Sequence, residues 1–454
     1  MRTIQFVHEG LGNSSYILDL GNGSALLIDP DRTADRYIEA LTANGLAAAG
    51  IFETHLHADF VSGARELAAQ TGAPIFVPSE AGSRLPHQGL AGGQSLQIDG
   101  CDVRALASPG HTPEHLSYVF RAAGGAPVLF SGGSLIVGGA ARTDLISVAM
   151  TEPLTRAQFG TLHRAFSDLP DETVLYPTHG GGSFCSTGAG QERTSTLGRE
   201  RSENPLLSFG DEEEFVAWFP TTFPAVPDYF FRLRAVNQAG PRLRQEIAGP
   251  PSLAPDEFAS RMAASVVVDG RSKEDYARGH IAGSLSNPYR DDFPVWLGWL
   301  VPENSDLLFV SEEHTLDGMV EQALLVGYER FAGRLSGGVE AWEASGRAPA
   351  QTELVDATRA REYLLEGAAA LDVREPGEYE AGHIAKAVHV PLGRLEAGMR
   401  AVPRERPVVV YCGHGERAST AVSLLEAAGF QELANLDGGL GAWESAGYSV
   451  ERGA

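Results

Sequence analysis

The second half of the 454-residue chain repeats itself, and that repeat limits the possible folds more than any other feature. Val266-Val267-Val268-Asp269, followed by Gly279-His280-Ile281-Ala282-Gly283, recurs 103 residues later as Ala369-Ala370-Leu371-Asp372 followed by Gly382-His383-Ile384-Ala385. Gly337-Gly338-Val339-Glu340-Ala341-Trp342 recurs 101 residues later as Gly438-Gly439-Leu440-Gly441-Ala442-Trp443. A period of that size is a whole domain copied rather than a solenoid unit. Short apolar strands alternate with helical stretches in each copy, which predicts a parallel sheet covered on both faces. Pro250-Pro251-Ser252 marks a loop where the repeated part begins. The chain is too long for one hydrophobic core, so the first half is a further domain.

Composition narrows the function. A formal net charge of −24 repels phosphate backbones and anionic lipid, so neither nucleic acid nor a membrane is expected as a partner. Met1-Arg2-Thr3-Ile4-Gln5-Phe6 lacks the apolar core of a signal peptide, and no later stretch has the apolar length of a membrane span. The expected location is the cytoplasm. Cys101, Cys185 and Cys412 are too few and too scattered for a disulfide framework, as in a reducing compartment, which leaves room for a catalytic thiol.

In the first half, strand-like runs (Ile4 to Val7, Ser15 to Asp19, Ala25 to Asp29) lead into helical stretches and then into Thr54-His55-Leu56-His57-Ala58-Asp59-Phe60. A strand that ends in His-x-His-x-Asp places several metal-ligand side chains in one tight loop. Later strand ends add Pro109-Gly110-His111-Thr112-Pro113-Glu114-His115, Ser131-Gly132-Gly133 and Pro177-Thr178-His179-Gly180. His55, His57, His111 and His179 can therefore converge on one centre. His115, four residues beyond His111, is close enough to line the pocket, although Pro113 breaks a helical pairing of the two. Cys185 lies in a glycine-rich segment after His179 and is expected to be a buried, small apolar residue.

In the second copy of the repeat, Val408-Val409-Val410-Tyr411 runs into Cys412-Gly413-His414-Gly415-Glu416-Arg417 and then into a helix over Ala418 to Ala428. Such a loop points several backbone N–H groups at one centre, and the helix N-terminus adds positive potential. Cys412 is then held as a thiolate beside Arg417, suited to carrying a persulfide or to attacking an anion such as thiosulfate. The first copy has Ser311-Glu312-Glu313-His314-Thr315 at that place, with neither thiol nor arginine. Phe293, Trp296 and Trp299 form an aromatic patch that fits a contact between domains, a contact between subunits, or core packing.

The motifs of the first half resemble the metallo-β-lactamase superfamily. Thr-His-x-His-Ala-Asp-Phe, Pro-Gly-His-Thr-Pro-Glu-His, Arg142-Thr143-Asp144-Leu145 and the stretch from Pro224 to Gly240 are more narrowly similar to its persulfide dioxygenase branch. The segment around Cys412, with Asp372-Val373-Arg374 and Gly382-His383-Ile384, resembles a rhodanese sulfurtransferase throughout. The implied fold class is a multidomain α/β protein: a metallo-β-lactamase αββα sandwich over residues 1–245, then two rhodanese-like α/β domains with parallel sheets. The first of these, over 252–348, is expected to be inactive, and the second, over 352–454, active.

The resemblance implies oxidation of a low-molecular-weight thiol persulfide to sulfite at a mononuclear Fe(II) site, coupled to sulfane-sulfur transfer through Cys412. Carried over, the iron ligands are His55 and His111, but the branch's third ligand, an aspartate, is Gly133 here. Three outcomes follow in order: iron on two histidines, His57 completing a three-histidine site, or loss of the metal. Asp59 and His179 are assigned to supporting hydrogen bonds. Gly413, His414, Gly415 and Glu416 form the sulfur-substrate loop between Cys412 and Arg417, whereas Asp372 and His383 are structural markers. A zinc-dependent thioester hydrolase of the glyoxalase II kind fused to a sulfurtransferase is one alternative. A first domain that binds persulfide without oxidising it is another. The partners implied are a small-thiol persulfide and thiosulfate or sulfite, and a homo-oligomer is compatible with the chain.

Overall fold

A computed structural model describes residues 1–187 and 190–453. The chain divides into two compact units, Met1–Ile247 with Glu321–Tyr328, and Ala248–Val320 with Glu329–Ala454.

The first unit is built on two mixed six-stranded sheets. One runs in the order Arg2–His8, Asn13–Asp19, Ser24–Ile28, Ala47–Phe52, Ile75–Pro78, Gln88–Leu90; the other in the order Ser195–Thr196, Val174–Pro177, Val128–Gly132, Leu116–Ala122, Cys101–Ala107, Ser95–Ile98. Alternation along the strands produces the layers, because successive side chains point to opposite faces. Tyr16, Leu18, Leu26, Ile28 and Phe52 face Val103, Ala105, Tyr118, Phe120 and Phe130 in the core between the sheets. The intervening Ile17, Leu27 and Ile51 pack outward with Tyr37, Leu41 and Leu67 of helices Ala34–Ala43 and Ala64–Thr71. Val119, Leu129 and Leu175 on the far face of the second sheet pack with Phe159 and Leu162. The result is the expected αββα sandwich.

Two five-stranded parallel sheets make up the second unit. Their orders are Ser252–Leu253, Phe331–Leu335, Leu307–Val310, Val266–Asp269, Leu285–Ser286, and Glu353–Val355, Leu433–Leu436, Val408–Tyr411, Ala369–Asp372, Val388–His389. The two orders are identical once aligned by the repeat. Trp296, on helix Phe293–Leu300 of the first copy, is buried in the core of the second among Leu371, Val390, Val408 and Leu425. Its Trp299 lies so close to Gly393 that a Cβ there would stand 2.2 Å from the indole. The aromatic patch is thus a joint between the copies. Among the described residues no helix is long and apolar enough to cross a membrane, and all three cysteines are free and buried.

Candidate functional site

Three strand ends of the first unit bring histidines together at one edge of the sandwich. His55 follows strand Ala47–Phe52, His111 lies between Cys101–Ala107 and Leu116–Ala122, and His179 follows Val174–Pro177. One ring nitrogen of each of His55, His111 and His179 lies within 4.8 Å of the other two. The opposite nitrogen of each ring is anchored by a hydrogen bond. His55 Nδ1 bonds Thr54 Oγ1 at 2.9 Å, and that hydroxyl in turn donates to Asp29 Oδ2 at 2.7 Å. His111 Nδ1 donates to the Arg142 carbonyl at 2.7 Å, and His179 Nδ1 to Asn13 Oδ1 at 3.0 Å. Each Nδ1 therefore carries the proton and each Nε2 presents a lone pair.

Those lone pairs meet: His55 Nε2 and His179 Nε2 are 3.3 Å apart. Two nitrogens bound at about 2.1 Å to one ion stand about 3.0–3.4 Å apart, so the spacing suits a shared cation. Without one, buried lone pairs would oppose each other. Burial, reinforced by the neighbouring imidazoles, pushes His55 well below its ordinary pKa and His111 down to about 3, which favours the neutral rings a metal would need. The donor set fits a borderline transition metal held by imidazole and supported by oriented second partners.

His57, assigned from the sequence as a ligand beside His55 and His111, falls in two other possible ligand groups, with Asp59 and His179 and with Asp29 and Glu53, and its Nδ1 is buried without a hydrogen bond. Its Nε2 lies 3.2 Å from both Asp29 Oδ1 and Glu53 Oε2, all fully buried. Burial alone would lower its pKa; the two carboxylates override that and hold it up at about 10. His57 thus lies beside a carboxylate pair, while His179, assigned a supporting role from the sequence, stands with His55 and His111. Asp59 stays ionised because His179 outweighs the effect of burial. Its Oδ2 accepts from Asn13 Nδ2 at 2.7 Å, and its Oδ1 is buried without a hydrogen bond, grouped with His57 and His179.

Gly133, the position expected from the resemblance to hold an aspartate, and Gly132 before it are tightly packed. A Cβ on Gly133 would lie 2.6 Å from His111 Cδ2, and one on Gly132, whose φ is +56°, would lie 2.4 Å from His115 Nε2. His115 accepts the Gly133 N–H at 3.0 Å and bonds Ser108 Oγ through Nδ1 at 2.9 Å, so both its nitrogens are committed to the structure. The ring of Phe60 stacks on His57 at 4.2 Å. Cys185 is buried and its thiol pKa is pushed well up by burial and then by Asp59.

Several residues that shape the site have no motif. Asp29 accepts from Thr54 N at 2.7 Å and from the Thr178 hydroxyl, tying two of the strand ends together. Asn237 Nδ2 donates to the carbonyls of His57 and Phe60 at 2.8 and 2.9 Å, and its Oδ1 accepts from Ser62 N at 2.9 Å. Arg142 bonds Asp144, the Phe184 carbonyl and the Pro224 carbonyl, which fixes the backbone oxygen that orients His111. Glu53 and Asn13 complete the set. Only the Arg142-Thr143-Asp144 motif and the stretch containing Asn237 gave any sequence signal.

In the second unit, the Cys412 loop leaves strand Val408–Tyr411 and enters helix Glu416–Ala427, which begins two residues earlier than its apolar pattern predicts. Gly415, at φ +109°, makes that early start possible. Its N–H donates to Cys412 Sγ at 3.0 Å. Behind the loop, Leu440 N donates to the Cys412 carbonyl at 2.8 Å, and a Cβ on Gly439 would lie 2.3 Å from that oxygen. Arg417 makes two 2.7 Å bonds to Glu378. Asp372 is bound by Arg374, and His383 stacks on Tyr379 at 3.8 Å, so both are structural as expected.

The first unit thus carries a histidine cluster on an αββα sandwich, and the second carries two doubly covered parallel sheets, one of them with a loop-bound cysteine. Residues 8–179 match the metallo-beta-lactamase superfamily, and residues 254–345 and 352–446 each match the rhodanese-like domain. A metallo-beta-lactamase from Staphylococcus aureus superposes with a TM-score of 0.66 at 30% identity, covering 74% of this chain and 98% of that one. The human mitochondrial persulfide dioxygenase is 28% identical over 201 residues, 44% of this chain and 73% of that protein. A hydroxyacylglutathione hydrolase of Albidiferax ferrireducens is 38% identical over 118 residues, 26% of this chain and 46% of that protein. Matches to the first three curated relatives span 46, 58 and 62% of their lengths. The chain belongs to the metallo-β-lactamase superfamily and carries two rhodanese-like domains.

Proposed function

We propose that the chain oxidises a small-thiol persulfide to sulfite at a mononuclear iron site on His55, His111 and His179, and moves sulfane sulfur through Cys412. The observation that carries the first half is the convergence of three imidazoles, each with Nδ1 anchored by a hydrogen bond. Iron held there would supply redox chemistry toward O2 and a site for a sulfur ligand. The balanced reaction is RSSH + O2 + H2O → RSH + SO3²⁻ + 2H⁺. His55, His111 and His179 hold the metal, and Asp29 through Thr54, the Arg142 carbonyl and Asn13 keep their protons on Nδ1. His57 is oriented by Asp29 and Glu53 at its Nε2.

For the second half, the Cys412 thiolate attacks the outer sulfur of thiosulfate. A new S–S bond forms, the old one breaks, and sulfite leaves with its electron pair, so that Cys412 becomes a persulfide. The Gly415 N–H donates to Cys412 Sγ, and Arg417, held by Glu378, closes the same loop as the cation that would offset the anion's charge. Phe60 and Gly133, where a dinuclear hydrolase needs a histidine and a bridging carboxylate, weigh against thioester hydrolysis. The likeness to hydroxyacylglutathione hydrolases keeps that reading as the rival.

The test is O2 uptake by the anaerobically iron-loaded full chain with a small-thiol persulfide, with sulfite assayed in the same vessel. One sulfite per O2, abolished in His179→Ala together with bound iron, is expected. O2-independent cleavage of an S-acyl thiol by the zinc-loaded chain, without sulfite from persulfide, would replace oxidation by hydrolysis.

A further inference from the structure

The rhodanese-like copy that lacks a thiol reaches into the sulfur loop of the copy that has one. Lys273, nearly buried, donates from Nζ to the His414 carbonyl at 2.8 Å and pairs with Glu416 at 3.2 Å and Asp437 at 3.1 Å. Glu274 stands 3.7 Å away. The His414 carbonyl and the Gly415 N–H belong to one peptide group, and that N–H donates to Cys412 Sγ at 3.0 Å. The group is planar with O and H on opposite sides, so fixing the oxygen fixes the direction of the hydrogen. An ammonium on the oxygen also polarises the peptide and strengthens its N–H as a donor. The approach is close enough that a Cβ on Gly415 would lie 3.2 Å from Lys273 Nζ.

Three further contacts lie on the same face of the helix that leaves the loop. Ser286 Oγ bonds Ser419 Oγ at 2.8 Å, Ser286 N donates to Ser423 Oγ at 3.1 Å, and His280 Nε2 bonds Glu426 Oε2 at 2.9 Å. Residues 416, 419, 423 and 426 are spaced by three and four, one stripe along a helix. The position of the second copy that matches Lys273 in the repeat is Pro376, which has no charge to offer. The lysine is therefore a feature of the thiol-free copy and not of the shared scaffold.

We propose that the thiol-free copy is a built-in positioning partner for the sulfur loop, with Lys273 the positioning residue that holds the His414–Gly415 peptide against Cys412. Its contribution to turnover rests on the reading that Cys412 carries the sulfur; its contribution to Cys412 reactivity does not. Lys273→Met and Lys273→Arg are compared with wild type in the full chain. Thiosulfate sulfurtransferase turnover is measured alongside the rate of Cys412 alkylation by iodoacetamide at fixed pH, read by mass spectrometry with the Cys101 and Cys185 peptides as internal references.

In Lys273→Met, Cys412 alkylation and kcat fall together by about tenfold, the scale of one charge-assisted hydrogen bond. Lys273→Arg recovers most of both, at a thermal midpoint close to wild type. Wild-type turnover with no change in either rate in Lys273→Met would overturn the proposal, as would Lys273→Arg failing like methionine. Slower alkylation in Lys273→Met of a wild type that does not turn over thiosulfate would support the positioning role and refute sulfur transfer instead.

Discussion

The two rhodanese-like copies share their scaffold down to single hydrogen bonds and differ where the chemistry would be. Arg271 clamps Asp269 and the Gly279 carbonyl, and Arg374 clamps Asp372 and the Gly382 carbonyl in the same way. His280 stacks on Tyr276 at 3.9 Å and His383 on Tyr379 at 3.8 Å. The loops then diverge. Cys412 sits under the Gly415 N–H and is backed by Gly438-Gly439, whereas Ser311, Glu312 and Glu313 border a cavity of about 440 Å³ also lined by Arg334, which pairs with Glu313. A fold can be kept for its surfaces after its loop has lost the residues of the reaction. Here the kept surfaces are the ones that grip the other copy.

The largest expected effect tests the difference itself. Cys412→Ser should abolish thiosulfate sulfurtransferase activity, with at least about a thousandfold loss, since no second nucleophile lies in the loop. Adding Ser311→Cys should restore nothing, because the first loop is acidic and has no arginine; recovered turnover in the double variant would break the contrast. Trp296→Ala comes next. A buried tryptophan in the second copy's core should cost about 3–5 kcal/mol of that unit's stability, measured by denaturant unfolding of the full chain. A loss below about 1 kcal/mol would mean the joint between the copies is not load sharing.

Gly439→Ala and Gly338→Ala sharpen the contrast further. Both glycines have positive φ, +55° and +65°, so alanine strains each backbone by about 1 kcal/mol. At 439 the added methyl also meets the Cys412 carbonyl, while at 338 the nearest atom is the end of the Glu340 side chain. Turnover should therefore drop several-fold for the first variant and hold for the second, and equal losses would remove the distinction.

The smallest effect concerns Glu378, whose carboxyl burial raises but Arg417 holds net below its ordinary value of 4.5. A lowered folded pKa gives stability that is present above about 4.5 and is lost as pH falls through the folded value. The matching residue of the first copy, Asp275, pairs with Arg278 on its own helix. Glu378→Gln should thus remove a shallow acid-side fall in the thermal midpoint, read from pH 6 to pH 3; an unchanged fall would assign it to other carboxylates.

The sequence determined the three-part architecture, since periodic apolar runs, the duplicated Asp and Gly-His-Ile markers and the two domain families are properties of local pattern. It also determined which residue types could act: the histidines at strand ends, and Cys412 and Arg417 enclosing a loop of four residues. Which histidines stand together was decided by tertiary structure. Parallel pairing of Ser24–Ile28 with Ala47–Phe52 carries Asp29 to Thr54 and to His57, and the burial of Asp29 with Glu53 gives that ring a charge partner that spacing along the chain does not reveal. His179 is free to face His55 because Asn13, 166 positions earlier, holds its other nitrogen. Lys273 reads as an unremarkable charge until the two copies pack. Long-range contacts of this kind depend on the packing of whole layers, so they become visible only once the chain is folded.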